Sequence, residues 1–203
     1  ATALCIASGS GHWEVVRSLC KAGADRELAA RDGRRALQMA ASEGHSEVLR
    51  ELCAAGAEKD AQNLEGVTAL TWASISGHAE AVSLLLEARA DLHLAAKQGA
   101  TPLLMASQNG HVAAVRKLLS ARADADHPLD NGATPLLMAA WNGHLEVATC
   151  LCEAGADKDR GLLEGGSPLD AASDAGHADV ARYLREVGAS EGRTAQEGRG
   201  RDL

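Results

Sequence analysis

Leucine recurs at positions 4, 37, 70, 103, 136 and 169, and alanine stands three residues after each, at 7, 40, 73, 106, 139 and 172. A spacing of three puts both residues of each pair on one face of a helix. Ahead of each pair lies a residue in capping position: Thr2, Arg35, Thr68, Thr101, Thr134 and Ser167. Pro102, Pro135 and Pro168 follow three of these, as suits the first position of a helix. The short helix so predicted is stopped by glycine, always followed by histidine. The pairs are Gly11-His12, Gly44-His45, Gly77-His78, Gly110-His111, Gly143-His144 and Gly176-His177, every step being 33 residues. A fixed period of that size marks a repeat architecture.

A second helix is predicted after each Gly-His pair. Its apolar positions fall at i, i+1, i+4 and i+5, as in Val15-Val16 with Leu19-Cys20 and Ala114-Val115 with Leu118-Leu119. That spacing is an amphipathic stripe. It ends at "AGAD" or a variant, where glycine takes a left-handed conformation past the last turn. Turn signals such as Asp32-Gly33 and Asn131-Gly132 then lead into the next unit.

The units "TPLLMASQNGHVAAVRKLLSARAD" and "TPLLMAAWNGHLEVATCLCEAGAD" closely resemble the ankyrin repeat. The resemblance covers residues 2 to 188 and six helix pairs. It implies an all-α solenoid of stacked helix-turn-helix pairs with projecting β-hairpin-like loops. The repeats then run about 1–29, 30–62, 63–95, 96–128, 129–161 and 162–188, making residues 1–188 an ankyrin-repeat domain. The first unit lacks its preceding hairpin and begins in mid-repeat, which reads as a fragment of a longer array. Its outer face is expected to be apolar and covered by an upstream unit, whereas Arg185 gives the last unit a polar cap. Residues 189–203, "ASEGRTAQEGRGRDL", are glycine-rich, polar and aperiodic, so a disordered tail is expected there.

Three departures from the family pattern stand out. The histidine that follows "TPL" in the family is replaced by Cys5, Gln38, Thr71, Leu104, Leu137 and Asp170, so its usual hydrogen bond is expected to be absent. Arg89 and Arg122 occupy the left-handed glycine position, at a cost of roughly 1 kcal/mol each. Arg35 replaces a capping hydroxyl, a loss of about 1 kcal/mol.

Composition narrows the function. The formal net charge of −8 argues against nucleic acid or an anionic membrane as partner, since phosphate binding needs a basic face. The apolar share of 46% is mostly alanine, leucine and valine, which suits closely stacked helices, and no run approaches a membrane span. Five cysteines are an odd number, and Cys20, Cys53 and Cys152 share a column with Leu86 and Leu119. They read as small core residues in a reducing, intracellular and cytoplasmic setting. The histidine ladder is not a metal ladder, because helices roughly 8–10 Å apart hold their imidazoles too far apart to share one ion. In the family this histidine is structural. Neither Cys150-x-Cys152 nor the loop residues His93 and His127 form a site motif. No catalytic residue, metal or cofactor is expected.

The tryptophans carry the remaining information. Trp72 shares its column with Ile6, Met39, Met105 and Met138, which reads as core. Trp141 stands in a column of Gly9, Ser42, Ile75, Gln108 and Asp174 that has no common character, so it is expected to face water. Four residues separate it from Leu137, so both are placed on one helical face, away from Leu136 and Ala139. In the ankyrin family this column, the next one and the hairpin tips line a concave groove that binds proteins. Carried over, the partner-binding candidates are Trp141, Ile75, Leu64, Val67, Gln108, Asn109, Asn142, Lys97 and Arg34. Exposed apolar residues rimmed by polar ones mark such surfaces, although Trp141 folding over a neighbouring unit is the competing reading. The expectation is a monomeric, non-catalytic module that binds a protein partner in the groove. The alternative is a structural spacer within a longer ankyrin array.

Overall fold

The computed structural model describes residues 2–192, which fall into two compact units divided between Lys97 and Gln98. The first contains α1 (Ala3–Gly9), α2 (Trp13–Lys21), α3 (Ala36–Glu43), α4 (Ser46–Ala54), α5 (Ala69–Ile75) and α6 (Ala79–Glu87). The second contains α7 (Pro102–Gln108), α8 (Val112–Ser120), α9 (Pro135–Trp141), α10 (Leu145–Glu153), α11 (Pro168–Asp174) and α12 (Ala178–Glu186). Each pair is a short helix followed by a longer one. Within the first unit α1, α3 and α5 pack in one row and α2, α4 and α6 in another; within the second, α7, α9, α11 and α8, α10, α12 do the same.

The leucine and alanine columns form the core. Leu70, Leu136, Ala40, Ala73, Ala106 and Ala139 are fully buried, and the small alanines let neighbouring helices approach closely. Gly-His works as a unit. The imidazole Nε2 of His45 lies 3.1 Å from Gly9 O, that of His78 3.1 Å from Ser42 O, that of His144 3.0 Å from Gln108 O and that of His177 3.1 Å from Trp141 O. Each histidine thereby ties its own pair to the preceding short helix. The glycine makes room for the ring. At Gly143, with φ of 75°, an added Cβ would lie 2.5 Å from Nδ1 of His177.

The caps follow the sequence with one revision. Thr2, Thr68, Thr101, Thr134 and Ser167 each accept the N–H three residues on, at 3.1–3.3 Å. At Arg35 the helix start is rebuilt from the other side. Gln38 Oε1 accepts the Arg35 N–H at 2.8 Å, and its Nε2 donates to Ala61 O and Val67 O, both at 2.8 Å. The Arg35 Nε donates to Glu27 O at 3.2 Å and lies 3.5 Å from the Glu27 carboxylate. The expected loss of a cap is therefore partly offset. At the "TPL" column, where the family histidine and its usual hydrogen bond are missing, other side chains make bonds of their own. Besides Gln38, Thr71 pairs with Thr68 at 3.0 Å, Asp170 accepts from Ser167 N–H at 2.8 Å, and the Cys5 thiol lies 3.5 Å from Leu28 O. The column abuts the helix start and loop carbonyls, so most polar side chains there find a partner. Only Leu104 and Leu137 fill it with apolar bulk, and both are buried.

The expected left-handed residues are present, Arg89 with φ of 63° and Arg122 with φ of 67°. Gln98, with φ of 62°, is a third, inside a 3-10 turn at Lys97–Gly99. The other interhelical loops close as hairpins without strands, through Ala30 N–H to Arg34 O, Asn63 N–H to Val67 O, Leu129 N–H to Ala133 O and Leu162 N–H to Gly166 O.

Residues 189–192, assigned above to the tail, are hydrogen-bonded. The Ser190 N–H donates to Asp159 Oδ1 at 2.6 Å and the Gly192 N–H to Asp170 Oδ2 at 2.7 Å. The rest of that segment, 193–203, lies outside the described residues.

Candidate functional site

The candidate residues come from two places in each repeat, the C-terminal end of the short helix and the hairpin tip. In the first unit, Leu64 projects from its tip with 71% of its surface exposed, while Val67 and Ile75 are half-buried. The Leu64 side chain crosses the preceding tip, where a Cβ added at Gly33 would meet its Cγ at 2.8 Å. Two tip carboxylates of this unit, Asp32 and Glu65, are paired internally. Arg34 Nε lies 2.6 Å from Asp32 Oδ2, and the Lys97 ammonium lies 3.0 Å from Glu65. The hydrogen bond from Arg34 holds the Asp32 carboxyl below the ordinary carboxylate range.

Arg34 also stacks on Trp72, its guanidinium carbon 5.4 Å from the ring centroid. Trp72 is half-buried, and its indole N–H is buried with no partner among the described residues. The column read as core is thus only half core: Met39, Met105 and Met138 are partly exposed as well, and Ile6 is 59% exposed. These side chains lie on the hairpin side of the short helices, where cover depends on what the hairpin places over them. Arg34 supplies it for Trp72.

In the second unit, Trp141 is the last residue of α9 and 53% exposed. Its backbone is fixed, since Trp141 O meets the His177 imidazole, while about half of the residue's surface stays open to solvent. The expected shared face with Leu137 does not hold. Leu137 is 4% exposed and packs with Ala133, Ala171, Leu129 and Met138, so the face turns from core to surface between the two residues. Gln108 is half-buried. Asn109 and Asn142 are exposed, and each returns its side-chain amide to its own helix, to Met105 O at 2.7 Å and Met138 O at 2.8 Å. Such bonds close the helix ends.

Leu163, a hairpin-tip residue outside the candidates chosen above, is 79% exposed. It occupies the column of Arg31, Leu64, Lys97 and Asp130, so the reasoning that selects Leu64 applies to it as well. A Cβ added at Gly132 would lie 2.8 Å from its backbone nitrogen, so this tip sits directly on the preceding one.

The ladder imidazoles of His45, His78, His144 and His177 are occupied by carbonyls. Among the described residues no three side chains of metal-binding type converge, and no helix is long and apolar enough to cross a membrane. All five cysteines are free thiols. Burial pushes the thiols of Cys20, Cys53 and Cys152 up, away from the thiolate a nucleophile requires.

A family model described as "Ankyrin repeats (3 copies)" matches residues 1–63, 52–128 and 122–195. Among solved structures, the chain is similar to the human ASB11 ankyrin repeat domain. The two share 28% sequence identity, with a TM-score of 0.87 over 97% of this chain and 88% of that one. No curated protein matches the chain.

Proposed function

Since this chain belongs to the ankyrin-repeat family, we propose that it is a non-catalytic module that binds a partner protein through the hairpin tips and short-helix ends. Ankyrin repeats are in general protein-interaction modules of a non-enzymatic fold. The finer assignment rests on Trp141, whose indole is 53% exposed on a backbone held by His177. An exposed tryptophan offers a large apolar surface and one N–H donor at low entropy cost, the profile of an interface anchor. A spacer has no use for such a residue. Asn142 and Asn109 accompany Trp141 in the second unit, and Leu64, Val67 and Ile75 with Arg34 and Lys97 are the candidates of the first unit taken by itself. The monomeric state and the intracellular, cytoplasmic setting belong to the same proposal, the latter suggested by five unpaired cysteines.

Affinity capture from cell extract with the wild-type chain and with Trp141→Ala tests the reading. A partner retained by the wild type and lost from the variant, both remaining folded by circular dichroism, is the expected outcome. Equal recovery of every captured protein by both chains would remove Trp141 from the interface and favour the spacer.

A further inference from the structure

The two units treat their charges differently. In the first, the tip residues Asp32 and Glu65 are neutralised by Arg34 and Lys97. In the second, the corresponding surface carries Asp130 and Glu164 at its tips and Asp174 at the end of α11. All three are exposed, and none lies within ion-pair distance of a cation among the described residues. Past Lys97, which pairs with Glu65, no lysine or arginine occupies the tip or helix-end columns. The tip column of Lys97 continues with Asp130 and Leu163, and the helix ends hold Gln108, Trp141 and Asp174. Trp141 and Asp174 stand at equivalent positions on α9 and α11, which pack side by side.

From this we infer that the Trp141 face of the second unit takes a basic segment of its partner, an apolar side chain flanked by lysine or arginine. The inference rests on the interaction-module reading and adds the chemistry of the occupant. Uncompensated carboxylates cost little while water solvates them. When a partner covers them, each must meet a cation or a donor or lose its hydration for nothing. An acidic partner would bring like charges together, whereas a basic one gains attraction both at encounter and in the complex. The apolar part of the occupant has its own seat. Trp141 and Leu163 are exposed, and Met105 and Met138 lie partly open in the half-core column; methionine suits a soft, adaptable contact. A lysine or arginine beside that anchor meets both a carboxylate and the face of the Trp141 indole, the ring that attracts cations most strongly. In the first unit the equivalent attraction is already satisfied internally by Arg34 on Trp72.

The test is an unbiased selection. The full chain is panned against a displayed library of random peptides at low salt, and enriched peptides are synthesised and titrated by fluorescence anisotropy. The expected result is enrichment of net-basic peptides with an apolar residue. Their affinity for the triple variant Asp130→Asn, Glu164→Gln, Asp174→Asn should fall about tenfold or more, with a flattened salt dependence. These near-isosteric changes leave the fold intact, which circular dichroism checks. Enrichment of acidic or neutral peptides whose binding still depends on Trp141 would overturn the basic occupant and leave the interaction-module reading standing. Basic peptides that bind the triple variant as tightly as the wild type would overturn it too. Enrichment of nothing, or binding indifferent to Trp141→Ala, would overturn both.

Discussion

Replacing Arg89 or Arg122 with glycine should stabilise the protein, and the geometry sets the amount. Their φ values of 63° and 67° lie where Gly23, Gly56 and Gly155 hold 82°, 84° and 87° at the equivalent position. A Cβ built on any of those three glycines meets nothing within 4 Å. The strain of a side chain here is therefore local to the backbone, with no clash added. Both arginines are exposed, so little contact is lost on truncation. The left-handed penalty for a residue with a Cβ is roughly 1–2 kcal/mol. Glycine gives back roughly 0.5–1 kcal/mol through the greater freedom of the unfolded chain. The net gain expected is about 0.5–1 kcal/mol per site. Repeat arrays do not always unfold in one step, so a local readout is preferable to a melting curve. The amides of Ala90 and Ala123 donate to Leu85 O and Leu118 O and so close the two helix ends. Their hydrogen exchange should slow by roughly two- to fivefold in the matching variant. Unchanged or faster exchange at both amides would show that the arginines are not strained and refute the reasoning.

Arg35→Thr should fall within about 0.5 kcal/mol of neutral in urea titration, because a regained cap of about 1 kcal/mol is set against the bonds to Glu27; a gain well beyond that would mean Gln38 does not substitute for the cap. Gly143→Ala should destabilise by about 2 kcal/mol, from the left-handed backbone and the displaced His177 bond together, and a neutral result would discount the Gly-His tie. Trp141→Ala should change stability by less than about 1 kcal/mol, as urea denaturation would show. Cys20, Cys53 and Cys152, with thiols raised by burial, should alkylate more slowly than a free thiol at neutral pH, the lag narrowing as pH rises and the thiolate forms; a fast, pH-independent reaction would contradict it.

The elements were legible because their signals are local. Pro at the first helical position, a hydroxyl before it and glycine after the last turn each act within one repeat, and the 33-residue recurrence multiplied them. What escaped depends on neighbours. Trp72 and Ile6 share a column, yet Arg34 stacks on the first while the second is 59% exposed, a difference that periodicity does not encode. Leu137 and Trp141 share a helical spacing, yet Ala133 and Ala171 bury the first while the second lies past the end of the packed segment. Gln38 is the clearest lesson. Read against a family histidine it is a loss, whereas in place it caps Arg35 and holds two loop carbonyls. The uncompensated acids of the second unit were visible as letters, but only the ion pairs of the first unit show that their lack of partners is a difference.

The most direct test of the interaction surface is the emission of a variant that keeps Trp141 alone, with Trp13 and Trp72 replaced by phenylalanine. In the free chain the account predicts red-shifted emission readily quenched by iodide or acrylamide, because the ring is 53% exposed. Binding of a captured partner should shift that emission to the blue and protect it from quencher. Blue, quencher-resistant emission in the free chain, or a bound partner that leaves the spectrum and the quenching unchanged, would contradict the account.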